Sequence, residues 1–152
     1  MITKHFRNYI IRPTLKAMDM WTPTAENLLL GTAIHESGGL EKIKQDGNGP
    51  ALGYYQMEPD TLDDLYENYL RFRPNKKKLL DQFKIQALSN KINLRGNQLF
   101  ATAAARLQYY RVPEAIPEAI YSQAAYWKKY WNTEKGAGTV QKYMGDWNHW
   151  SQ

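Results

Sequence analysis

Five of the seven prolines in this chain, Pro13, Pro23, Pro59, Pro74 and Pro117, stand where a helix can begin. Proline suits the first helical position because its missing N–H would have no intrahelical partner there. It is excluded from helix interiors and from central strands. The segments these prolines open read as helices over 13–20, 23–37, 59–70, 74–88 and 117–131, to which 96–111 and a short last helix over 139–147 are added. The expected fold is mainly α, with at most a few short strands in the 40–58 region. Within 96–111, Leu99, Ala103 and Leu107 make one stripe, and Phe100, Ala104 and Leu107 its neighbour. Ala101, Ala103, Ala104 and Ala105 suit a helix packed closely on several sides, so this one is expected at the centre of the core.

A chain of 152 residues fits one domain with a sizeable core, and no composition shift divides it. Pro113-Glu114-Ala115-Ile116 recurs as Pro117-Glu118-Ala119-Ile120, but two copies of four residues make a linker and a helix start, not a solenoid. Net charge is +5, from 20 Lys+Arg against 15 Asp+Glu, which favours anionic partners. Zero cysteines exclude disulfides and thiolate metal sites. The stretch Met1–Tyr9 has no run like a signal-peptide h-region, and no apolar stretch approaches the ~18 residues of a membrane span.

One acidic residue is placed unusually. Thr22-Pro23 reads as an N-cap and first helical position, and Gly38-Gly39 as the stop. Between them Leu29, Ala33 and Glu36 fall at i, i+4 and i+7, so Glu36 shares a face with apolar residues that should point inward. Partial burial raises a carboxyl pKa, and the negative end of the helix dipole acts in the same direction. Both suit a general acid, which must hold a proton until the transition state. A loop follows, with Gly47, Gly49 and Gly53 permitting φ > 0, and Tyr54, Tyr55, Gln56 and Met57 before Pro59. Tyrosine offers an apolar ring with a polar tip, and glutamine a donor and an acceptor, which matches a sugar bearing an N-acetyl group.

Together these pieces resemble the lytic transglycosylase and goose-type lysozyme superfamily. There a Glu-Ser dipeptide ends a helix and a Gly-x-x-Gln-Met loop leads to Pro and Thr. Here the matching residues are Glu36-Ser37 and Gly53-Tyr54-Tyr55-Gln56-Met57-Glu58-Pro59-Asp60-Thr61. The family's Ala-Tyr-Asn-x-Gly motif has its nearest counterpart in Ala124-Ala125-Tyr126-Trp127, which keeps Ala-Tyr and lacks the Asn and Gly. Tyr126 and Tyr130, four residues apart, are both candidates for the family's cleft tyrosine. The resemblance covers residues 22–62 firmly and 93–131 loosely.

It implies a lysozyme-like catalytic domain over 1–152 that cuts the β-1,4 bond between N-acetylmuramic acid and N-acetylglucosamine. Glu36 would be the catalytic acid, with no metal or cofactor. Ser37, Gly53, Tyr54, Tyr55, Gln56, Met57, Tyr126 and Tyr130 would serve the glycan cleft, Ser37 also by bonding locally to fix Glu36. With one clear carboxylate, the expected chemistry is closure of a 1,6-anhydro ring. A second carboxylate for a hydrolytic muramidase would have to be Asp46, Glu58 or Asp60, and Asp46 is the candidate because goose-type relatives place acidic residues in that loop. Peptidoglycan strands are the expected partner and nucleic acid is not. A small wall-cutting domain without a leader fits a phage endolysin or virion component, reaching the wall with the help of other lysis or virion proteins.

Other patterns fall short. His35-Glu36 lacks the second histidine of a metalloprotease helix, since Gly39 stands in its place, and Ser37 lacks the first glycine of a nucleophile elbow. Asp46-Gly47-Asn48-Gly49 starts like a calcium loop but has Met57 at the twelfth position. Arg71, Arg73, Lys76, Lys77 and Lys78 form the strongest basic cluster and read first as a solvated helix start. Trp127, Trp131, Trp147 and Trp150 are expected to pack the C-terminal helices, leaving Tyr54 and Tyr55 to face sugar. A silent wall- or DNA-binding virion part is the rival of a different class, separable by the salt dependence of DNA binding.

Overall fold

In the computed structural model, which describes residues 2–133 and 136–151, nearly all regular structure is helical. The helices are α1 (Ile2–Phe6), α2 (Arg12–Ala17), α3 (Pro23–Ser37), α4 (Pro59–Asn68), α5 (Pro74–Asp81), α6 (Asn90–Gly96), α7 (Gln98–Tyr110), α8 (Ile120–Trp127) and α9 (Val140–Trp150). No strand forms among the described residues. The 40–58 region contributes only isolated bridges, Lys44 with Leu52 and Leu52 with Met57.

α3 begins and ends as its sequence dictates. Thr22 accepts a hydrogen bond at Oγ1 from the Ala25 N–H at 3.0 Å, with Pro23 next to it. Gly38 takes the left-handed conformation at φ 66°, and the Gly39 N–H donates to the Ile34 carbonyl at 2.9 Å. Between these caps Leu28 to Ile34 are all buried, because α3 packs against α7, α8 and α9. A helix apolar on every side belongs inside a core. The core thus has two central helices, α3 as well as the expected α7. On α7 the Phe100, Ala104 and Leu107 stripe is buried, whereas Leu99 stays 38% exposed.

Several boundaries differ from the sequence reading, each for a local reason. The first helical stretch starts near Ile2, not at Pro13, because α1 runs through a π-helical segment (Arg7–Ile11) into α2. Its buried residues Phe6, Ile11, Leu15 and Met18 are spaced five, four and three apart, a pattern that a strict 3.6 period misses and the π segment absorbs. α5 stops at Asp81 instead of 88. The chain turns there and restarts as α6, which Ser89 caps by accepting from the Ile92 N–H at 3.2 Å. Asn97 separates α6 from α7, accepting from the Phe100 N–H and donating to the Phe83 carbonyl. α8 begins at Ile120, not Pro117, and passes into a second π segment (Lys128–Asn132). α9 is capped by Thr139 as expected and reaches Trp150.

Candidate active site

Glu36 lies in the last turn of α3, partly buried. Its Oε2 accepts a hydrogen bond at 3.0 Å from Nε1 of Trp127, which is fully buried on α8. Burial pushes the carboxyl up to about 7, against the smaller lowering effect of the Trp127 bond. At neutral pH the group is therefore divided between acid and carboxylate, the condition under which one residue can both give and take a proton.

Trp127 is itself wedged in place. The His35 ring meets it edge-on with centroids 4.5 Å apart, and Tyr143 packs on it at 5.1 Å. The His35 Nδ1 bonds Asp146 Oδ2 at 2.8 Å, and Lys142 reaches the other oxygen of Asp146. Burial lowers the His35 pKa despite that carboxylate, which favours a neutral ring with its proton on Nδ1. Gly138 closes over the pair. A Cβ there would stand 2.6 Å from the Trp127 ring and 3.2 Å from His35 Nε2, so the chain can pass only as glycine. On the other flank, Thr32 donates to the Leu28 carbonyl, leaving the Tyr109 hydroxyl to donate to Thr32 at 2.8 Å. Burial raises the Tyr109 hydroxyl, with smaller raising contributions from Tyr143 and Glu36.

From Tyr109 the site continues into a small cavity. The Tyr109 ring stacks on Trp131 at 5.0 Å, and Trp131, Tyr130, Gln108, Gln56 and Met57, with Glu58 and Thr61, line a space of about 90 Å³. That is well under the roughly 300 Å³ at which pockets begin to hold a whole small molecule. It has room for a substituent such as an acetamido group rather than a full sugar ring.

The loop residues divide sharply. Leu52 and Met57 exchange both backbone hydrogen bonds, making a tight turn in which Gly53 (φ 76°) and Gln56 (φ 49°) are left-handed. Gln56 bonds back to the Gly53 carbonyl and shows its side chain to the cavity. Gly53 is required by its own neighbours, since a Cβ would meet the Leu94 carbonyl 2.5 Å away. It does not face the cavity.

Tyr55 needs correction. It is 1% exposed, and its hydroxyl pairs with Thr102 Oγ1 at 2.9 Å on α7. It is a core residue, because alternation in the tight turn directs it opposite to Gln56. Tyr54 packs edge-on against Phe6 at 5.6 Å, a partner supplied by the unexpected α1. Ser37 is buried, donating to the Ala33 carbonyl and accepting from the Leu40 N–H, so it anchors the turn after Glu36 rather than touching the cleft. Of the two candidate tyrosines, Tyr130 lines the cavity, whereas Tyr126 is buried and donates its hydroxyl to the Glu114 carbonyl.

Asp46 is 79% exposed and bound by Lys42 at 2.6 Å. Among the described residues, no three His, Cys, Asp or Glu side chains gather as a metal site. The basic cluster is partly engaged: Lys77 pairs with Asp81, and Arg73 lies 4.0 Å over the Tyr69 ring.

Sequence reasoning left Trp127 as packing, weighed His35 only as part of a metalloprotease pattern, and did not single out Asp146 or Tyr109. The only local signal was the match of Trp127 to the position after Ala-Tyr, where the family has Asn. The chain is thus an all-α protein with a partly buried carboxyl whose pKa is raised to about 7, and a separate small cavity lined by Tyr130, Trp131 and polar side chains. No family model, curated protein or solved structure matches it.

Proposed function

We propose that this protein is a lysozyme-like peptidoglycan lytic transglycosylase with Glu36 as its acid and base. The observation that carries the reading is the Glu36 carboxyl, raised to about 7 by burial at the end of α3. Gln56, Met57 and Tyr130 line the small cavity, and the first two belong to the loop that carries the family resemblance. Glu36 protonates the glycosidic oxygen as the bond between N-acetylmuramic acid and N-acetylglucosamine breaks. The sugar's own N-acetyl group stabilises the cation that develops at C1, so no second carboxylate is required. Glu36, now ionised, accepts the proton of the C6 hydroxyl as its oxygen closes the 1,6-anhydro ring, and the acid is regenerated.

The exposed position of Asp46, held by Lys42, favours this single-carboxylate route over a water positioned by Asp46. The 90 Å³ cavity matches the N-acetyl group on which the route depends. Peptidoglycan is then the partner, and a phage virion or lysis role the natural setting. The deciding experiment digests purified sacculi with wild-type protein and Glu36→Gln and weighs the released muropeptides. Products lighter by one water, about 18 Da, identify anhydro ends formed by substrate-assisted chemistry. Reducing ends would transfer the reaction to water, and release of nothing by wild type would reject the enzyme altogether.

A further inference from the structure

α7 carries a cation that the fold leaves unanswered. Arg7, Arg12 and Arg111 each have a carboxylate within 2.7 Å. Arg106 has none, and its Nε is buried with no hydrogen-bond partner among the described residues. The Tyr110 ring lies 5.5 Å from its guanidinium carbon, and Tyr126 also interacts with it. Burial pulls its pKa below the ordinary arginine value, yet a guanidinium keeps its proton at neutral pH. Arg106 is partly buried and has no carboxylate, and a carboxylate answers such a guanidinium best by a forked pair of hydrogen bonds.

Arg106 lines a cavity of about 620 Å³. That volume falls within the range that holds whole small molecules, unlike the cavity lined by Gln56 and Tyr130. Its walls include Tyr109, Tyr126, Val112 and Ile116, with Glu114 and Glu118 exposed along its length. Glu114 has a lysine, Lys129, at 3.8 Å, whereas Glu118 has no ion pair among the described residues. The cavity therefore offers one cation and one free anion over an apolar floor. It also shares a wall with the cleft: Tyr109 stacks on Trp131 and on Tyr126, and Tyr126 meets Tyr130 edge-on at 4.8 Å.

We infer that this second cavity binds the stem peptide attached to the muramyl sugar, Arg106 taking a free carboxylate and Glu118 a free amine of its diamino acid. The inference rests on the peptidoglycan reading above and adds a substrate class, peptides ending in an unamidated, zwitterionic diamino acid. Bonding to both charged groups would give this class an advantage over amidated stems.

The test is titration of wild-type protein with N-acetyl-L-alanyl-γ-D-glutamyl-meso-diaminopimelate, whose one free amine is on the diamino acid, following the Arg106 Nε–H resonance. That resonance should shift, and amidating the peptide's carboxylates should weaken binding about tenfold or more. Acetylating the free amine should weaken it less, and Glu118→Gln should erase that smaller difference. Equal affinity for free and amidated peptide overturns the inference, as does no binding at millimolar peptide. Because the main comparison uses only wild type, a misfolded variant cannot obscure it. Sacculus cleavage by the same preparation is scored separately. Binding without cleavage retains the pocket and rejects the enzyme, and cleavage without binding does the reverse.

Discussion

α3 holds a glutamate at each end, Glu26 buried and Glu36 partly so, and the two have opposite chemistry. Glu26, in the first turn, receives Arg12 at 2.7 Å, Arg7 at 2.6 Å and Trp21 Nε1 at 2.8 Å. Burial alone would raise its carboxyl, but the bonds from Arg12, Trp21 and Arg7 hold it down at about 2. Glu36, in the last turn, has the same kind of tryptophan donor and no arginine, and stands at about 7. The helix dipole reinforces the contrast, favouring negative charge at the N-terminal end and opposing it at the other. A tryptophan N–H therefore orients a carboxylate without ionising it, whereas two guanidinium groups overcome desolvation. The first glutamate fastens the π-helical segment and α2 to α3, and the second is left able to carry a proton.

The largest effect expected from testing this contrast is on catalysis by Glu36→Gln. Under the proposed mechanism, cleavage should fall by several orders of magnitude, since the amide can neither donate nor accept the proton; muropeptide release measures it. Wild-type cleavage itself should decline as pH rises above about 7, where Glu36 loses its acid form. Stability should move the other way. The unfolded carboxyl ionises near 4.5 and the folded one near 7, so protonated Glu36 favours folding fully below 4.5, and that share is lost as pH rises through 7. Glu36→Gln should accordingly gain on the order of 3 kcal/mol over wild type above pH 7, and nothing below 4.5, by urea unfolding. An equal gain at both ends of the pH range would show that desolvation is not the cause.

Glu26→Gln should do the reverse on a smaller scale. Because its folded carboxyl is lowered, its contribution is present above 4.5 and lost as pH falls through about 2. The variant should lose about 2 kcal/mol at pH 7, less than the full shift implies because both arginines are partly exposed. Its deficit should close toward pH 2, and a constant deficit would instead indicate lost packing.

Trp127→Phe keeps a ring between His35 and Tyr143 but removes the donor. The Glu36 carboxyl should rise further, moving the alkaline limb of the pH–rate profile upward with a modest loss of rate. An unmoved limb would sever Trp127 from the acid. Least of all is expected of Asp46→Asn: with the side chain in solvent beside Lys42, cleavage and stability should hardly change. A large loss of rate there would replace the single-carboxylate route with hydrolysis.

Much of this was legible residue by residue. The caps of α3 and α9 follow from Thr22-Pro23, Gly38-Gly39 and Thr139 because a cap is made by atoms within a few residues. The inward placement of Glu36 follows from its stripe with Leu29 and Ala33. The π segments were hidden because their apolar spacing does not keep one helical period. The break at Asn97 depends on a bond to Phe83, fourteen residues earlier.

Sequence by itself determined an all-helical chain with an acid at the end of its apolar helix, since propensity, capping and periodicity act over a turn or two. Tertiary structure alone decided what that acid meets. Trp127 is 91 residues from Glu36, and Asp146 is 111 from His35. Tertiary packing also took Tyr55 from the expected cleft into the core, where Thr102 receives it, and left Tyr130 lining the cavity. The reason is physical: hydrogen bonding within a helix is settled by neighbours in sequence, but the dielectric around a carboxyl is set by whichever elements pack over it.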